Sequence, residues 1–147
     1  NMNQRIFWTA DGVDMPPLDY EFIAHWLEEV AKNHDRMVGP MNYIFCDDKK
    51  ILEVNIEFLN HDYFTDIITF DYSRRRLVSG DMYISLETVA SNASGLGVDY
   101  MTELKRVIVH GLLHLCGIND KGEGEREIME MHENEALLLF NRLSGQL

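Results

Sequence analysis

Residues 99–117, DYMTELKRVIVHGLLHLCG, constrain the fold of this chain more than any other stretch. Asp99 stands where a helix N-cap would, and Gly117 stands just past the last apolar position, where a left-handed residue ends a helix. The spacing between them predicts the longest helix of the chain, about 27 Å at 1.5 Å rise per residue. The rest of the chain supplies what such a helix packs on. RIFWT (5–9), MNYIFCD (41–47), DIITFDY (66–72) and GDMYISL (80–86) read as strands, the third β-branched, aromatic and buried. MPPL (15–18) is a turn, because its prolines block a strand.

Helical spacing appears in four further places. Over 18–34, Phe22, Ile23, Trp26, Leu27 and Val30 share a face and Asp19 is a candidate cap. Over 48–60 the face is Ile51, Leu52, Asn55, Phe58 and Leu59; over 86–95 Ser85 caps and Gly95 and Gly97 stop; the last helix covers 124–143. The expected class is α+β (mixed α/β): one small mixed four-stranded sheet packed with about five helices.

A chain of 147 residues with 46% hydrophobic content suits a single domain, taken as 2–147 with Asn1 set aside as a tag remnant. No apolar run approaches the ~18–20 residues of a membrane span, and RIFWTADGVD is too polar for a signal peptide. Two cysteines, Cys46 and Cys116, make no disulfide framework, so a reducing, cytoplasmic setting is the default. A net charge of −12 argues against indiscriminate nucleic-acid binding, although a local basic groove is compatible with it. The basic clusters are Arg74, Arg75 and Arg76, then Lys49–Lys50 and Lys105–Arg106, each read first as solvated surface.

The chemistry sits in HGLLHLCGIND (110–120). Helix positions i and i+4 share a face with Cβ atoms about 5–6 Å apart, so His110 and His114 can hold one ion together. A third donor has to come from beyond the helix. Gly117 permits a chain reversal, after which Asp120 can reach the same ion. Two imidazoles, a carboxylate and an open position form a catalytic rather than a structural zinc set, although Fe(II), Ni(II) or Mn(II) would also suit. The spacing matches that of metzincin proteases, but their glutamate after the first histidine is here Gly111, so the peptidase base is missing. Cys116 points elsewhere; His25 and His34 read as exposed, and His132 as a substitute ligand should Asp120 not serve.

These residues resemble the signature of YbeY-type rRNA maturation factors, metal-dependent endoribonucleases, H-G-x-L-H-L-x-G-y-D-H. The match runs through Gly117; the family's aspartate falls on Asn119 and its third histidine on Asp120. NIEFLNHDYFTDIITF (55–70) and GDMYIS (80–85) are similar to the family's N-x-x-[FY]-R-x-K-D-x-x-T-[DN]-V-L-S-F segment and the strand after it. The likeness spans about 55 to 133, roughly half the chain. It departs at Leu59 and His61, where the family has arginine and lysine, so a phosphate-holding guanidinium is missing there. His61 or Arg74, Arg75 and Arg76 are the candidate substitutes in RNA contact, and Asp66 either orients a site group or makes a turn.

The resemblance implies a single-strand-specific endoribonuclease of rRNA maturation and ribosome quality control, with one zinc on His110, His114 and Asp120. It implies single-stranded or small-subunit rRNA as substrate, the ribosome or ribosomal proteins as partners, and neither membrane nor DNA. Zinc there would activate water and polarise a phosphoryl oxygen. Two rival classes stay open: a ribosome-assembly binding protein whose ion only braces the fold, and a metal-dependent hydrolase of another substrate, peptides included. A coordination position open to a cleft separates chemistry from bracing.

Overall fold

The computed structural model describes residues 4–145. In order, its elements are β1 (Ile6–Ala10), α1 (Tyr20–Asn33), β2 (Met37–Cys46), α2 (Asp48–Leu59), β3 (Ile67–Asp71), β4 (Leu77–Ser85), α3 (Leu86–Leu96), α4 (Tyr100–Leu115) and α5 (Glu125–Leu143). This is the expected α+β set, and three of the expected caps form. Asp19, Ser85 and Asp99 accept from the backbone N–H groups of Phe22, Thr88 and Thr102 at 3.2, 3.2 and 3.3 Å. Asp47 does the same for Lys50 at 2.8 Å, starting α2. Each such cap stabilises its helix by about 0.5–2 kcal/mol.

The sheet order is β1-β2-β4-β3. The first three strands run parallel and β3 pairs antiparallel with β4. Period-two alternation divides the strands between two cores. Met41, Tyr43 and Phe45 of β2 and Val78, Met82 and Ile84 of β4 face the larger core with α1, α4 and α5. Cys46 and Ile68 face the smaller one with Ile51 and Val54 of α2. Within the larger core, buried polar groups bond to helix backbone. Tyr43 Oη donates to the carbonyl of Ile108 at 2.7 Å, and the indole N–H of fully buried Trp26 donates to that of Ala136 at 2.8 Å.

Several expectations are corrected. Strand β2 begins at Met37 rather than 41, because Gly39 and Pro40 lie in a register shift between Val38 and Met41 that tolerates the missing N–H. Strand β4 begins at Leu77, paired through the Arg74–Leu77 bridge. Strand β3 is an edge, with only Ile68 fully buried, rather than a buried strand. The buried face of α2 turns to Ile51, Val54 and Asn55, leaving Phe58 61% exposed. Helix α3 passes through Gly95 and stops at Gly97, φ +69°. The longest helix is α5, 19 residues against 16 in α4.

Candidate metal centre

Helix α4 lies over β3 and β4, and at Gly111 there is no room for a side chain between them. A Cβ at that position would sit 2.9 Å from Ile67 Cδ1 and 3.0 Å from Met82 Cγ. The glycine that removes the peptidase base therefore has a packing reason of its own. Its neighbour His110 and the next-turn His114 are half-buried at the helix edge, with ring centroids 4.5 Å apart and planes near perpendicular.

The turn after α4 forms as its glycine requires. Gly117 is left-handed at φ +93°, its N–H donates to the His114 carbonyl at 2.9 Å, and the Ile118 N–H donates to the Leu113 carbonyl at 3.1 Å. That pair of bonds is the Schellman arrangement, with Ile118 packed back on the core. Arg36 Nη2 takes the Cys116 carbonyl at 3.3 Å, satisfying another helix-end acceptor. The reversal brings Asp120 Oδ2 to 3.3 Å from His110 Nε2 and 3.5 Å from His114 Nε2. One donor atom from each residue lies within 4.8 Å of the other two. An ion about 2.0–2.1 Å from each of its ligands in a tetrahedron sets ligand edges of about 3.3–3.4 Å, and the two edges that Asp120 makes with the imidazoles are close to that.

The two imidazoles are held differently. Burial lowers the pKa of His110, but the hydrogen bond and charge of Glu133, with the charges of Asp120 and Asp66, outweigh it and leave it raised. For His114, burial and then the charge of His110 lower it, and Asp120 does not make up the difference. Asp66 is pushed up by burial, with the charge of His110 acting against that.

A cleft of about 770 Å³ opens beside the donors; His110 and Asp120 line it, together with Asp66, Asn92, Glu103, Arg106, Arg126, Glu130 and Glu133. Its cations are Arg106 and Arg126. His61 and Arg74–Arg76 do not line it. His61 is exposed, stacked on Tyr63 at 5.1 Å, with Nδ1 2.9 Å from the phenol oxygen. The three arginines occupy the exposed β3–β4 connection, where Arg76 pairs with Asp35 at 2.6 Å. Asp66 does line the cleft, with Asn92 Nδ2 at 3.5 Å. His132 lies outside the donor group, against His34 at 4.9 Å, so His34 is half-buried rather than exposed.

One expectation is corrected here and one residue, Glu133, is added. Lys105–Arg106 is not simply solvated: Lys105 sits over the Phe140 ring at 4.2 Å, and Arg106 reaches Glu133 at 2.9 Å and Asn134 at 3.1 Å. Glu133 is 8% exposed, and its other oxygen lies 2.6 Å from His110 Nδ1. The available signal was a glutamate at an apolar position of α5, in register with buried Met129 and Ala136.

The family model for Endoribonuclease YbeY matches residues 16–141. A Phocaeicola vulgatus protein named Endoribonuclease YbeY is 55% identical over 136 residues, covering 92% of this chain and 99% of the relative. One from Parabacteroides distasonis with the same name is 52% identical over 135 residues, covering 92% and 95%. The fold is similar to the solution structure of a Thermotoga maritima protein, at 25% identity and TM-score 0.64, covering 92% of this chain and 89% of that one. The motif at one end of α4, the turn that completes it and the likeness along most of both chains lead to one assignment: this chain belongs to the Endoribonuclease YbeY family.

Proposed function

We propose that this chain is a metal-dependent endoribonuclease that cleaves single-stranded RNA during rRNA maturation, with one zinc ion on His110 Nε2, His114 Nε2 and Asp120 Oδ2. The observation that carries this is the convergence of three donors, with Asp120 at tetrahedral spacing from both imidazoles and with His110 and Asp120 on the wall of a cleft. Among the described residues no fourth His, Cys, Asp or Glu joins the group, which favours a position open to substrate over a closed bracing shell. The ion would supply Lewis-acid charge to activate water and polarise a phosphoryl oxygen.

The chain's own residues shape the rest. The cleft carries more carboxylates than guanidiniums, so without an ion it repels a phosphodiester. Arg126, exposed at its rim, is placed to meet a flanking phosphate. His61 and Arg74–Arg76 contact RNA only where the strand extends beyond the cleft. Small-subunit rRNA, with ribosomal proteins nearby, is the substrate setting this reading implies, and the cytoplasm is the compartment. No described helix is long and apolar enough to cross a membrane.

The test is cleavage of a labelled single-stranded RNA, and of its duplex, by zinc-loaded protein with and without a chelator. Cleavage of the single strand alone, abolished by chelator and by the double change His110→Ala, His114→Ala, is expected. Chelator-insensitive cleavage, or none by fully loaded protein, would refute the reading.

A further inference from the structure

Glu133 occupies a position on α5 that packing reserves for an apolar side chain. It follows buried Met129 by one turn and precedes buried Ala136 by three residues, and it is itself only 8% exposed. A carboxylate in such a place is unfavourable unless both oxygens are satisfied. Both are. Oε1 accepts from Arg106 Nη1 at 2.9 Å, and that guanidinium is held in turn by Asn134 Oδ1 at 3.1 Å. Oε2 lies 2.6 Å from His110 Nδ1.

An ionised carboxylate can only accept, so Nδ1 of His110 has to carry the proton in this contact. The lone pair of the neutral ring then resides on Nε2, the nitrogen 3.3 Å from Asp120 Oδ2. A pairing that merely neutralised Arg106 would need one oxygen of Glu133. The second oxygen is aimed at the back of a candidate ligand, the arrangement by which carboxylates orient metal-binding imidazoles and raise their donor strength.

We propose that Glu133 is a positioning residue: it fixes the tautomer and rotation of His110 that present Nε2 to the ion, with Arg106 clamping the carboxylate from behind. The inference rests on the reading that His110, His114 and Asp120 hold a divalent ion. It adds a member that the local motif does not contain, supplied by a helix 23 residues further along the chain.

The experiment measures zinc affinity by competition with a chromophoric chelator, for the full chain and for Glu133→Ala and Glu133→Gln. The wild type is expected to bind one zinc per chain. Glu133→Ala should still bind one, about 10–100-fold more weakly. Glu133→Gln keeps the shape and one acceptor oxygen, so it should fall between them, and it carries the test if the alanine variant does not fold. In metal-free protein, at a pH where the imidazole is neutral, long-range ¹⁵N–¹H spectra should show His110 as the Nδ1–H tautomer in wild type and as a mixture in the variants. Equal zinc affinity across the three proteins, or a change in thermal unfolding alone, overturns the proposal while leaving the metal reading intact. A wild type that binds no zinc overturns both.

Discussion

Two segments stand out in the sequence for their chemistry, and the structure treats them in opposite ways. At 110–120 every group of interest is fixed by backbone: helix spacing sets the two histidines, and a left-handed glycine returns the aspartate. At 74–76 three guanidiniums stand on an exposed connection, one of them paired with Asp35. The cations that do line the cleft, Arg106 on α4 and Arg126 on α5, stand outside that densest cluster. Spacing that a helix and a turn convert into distance foretells a site. Charge density alone does not, because an exposed long side chain has no assigned place.

The contrast can be broken at its rigid end first. Gly111→Leu puts a branched side chain where even a Cβ meets β3 and β4. It should destabilise the protein by about 1–3 kcal/mol in denaturant melts and weaken zinc binding with it. Melts that match wild type would show that α4 has slack over the sheet, and the fixed-backbone account would fail.

Protonation gives a finer test. In the metal-free protein His110 should titrate above the ordinary imidazole value of 6.5 and His114 below it, as read by NMR. The signs for stability are then opposite. The contribution of His110 is full below about 6.5 and is lost as pH rises through its raised folded value; that of His114 is full above about 6.5 and is lost as pH falls through its lowered one. Zinc should move both titrations downward, since metal and proton compete for the same nitrogens. His114 titrating above His110 would mean that Glu133 does not hold the ring as described.

The smallest effect belongs to the exposed charges. Arg76→Ala should change stability by about 0–1 kcal/mol, because its pairing with Asp35 is exposed on both sides. Zinc affinity should be unchanged. A larger loss would mean that the β3–β4 connection is as fixed as the turn after α4.

What could be read in advance divides along the same line. Helix starts were legible because Asp19, Ser85 and Asp99 act within three residues of themselves. The donor triplet was legible because it closes within eleven residues. The sequence places the start of β2 too late because Gly39 and Pro40 look like a stop unless a partner strand shifts register there. The β-branched residues of β3 predict a buried strand because they do not reveal that nothing flanks it on one side. Glu133 shows in the sequence only as a glutamate at an apolar position of α5; its partners, His110 and Arg106, are named by the way α5 docks on α4.

The bond from Trp26 to the Ala136 carbonyl gives the molecule a built-in optical gauge. The chain has two tryptophans, and the other, Trp8, is stacked on Tyr43 at 4.7 Å, on the sheet. Replacing Trp8 with phenylalanine would leave a single tryptophan, excited apart from the tyrosines at long wavelength, whose hydrogen bond ends on α5, three residues past Glu133. Its emission would then follow, in real time, whether the helix that steadies His110 is seated.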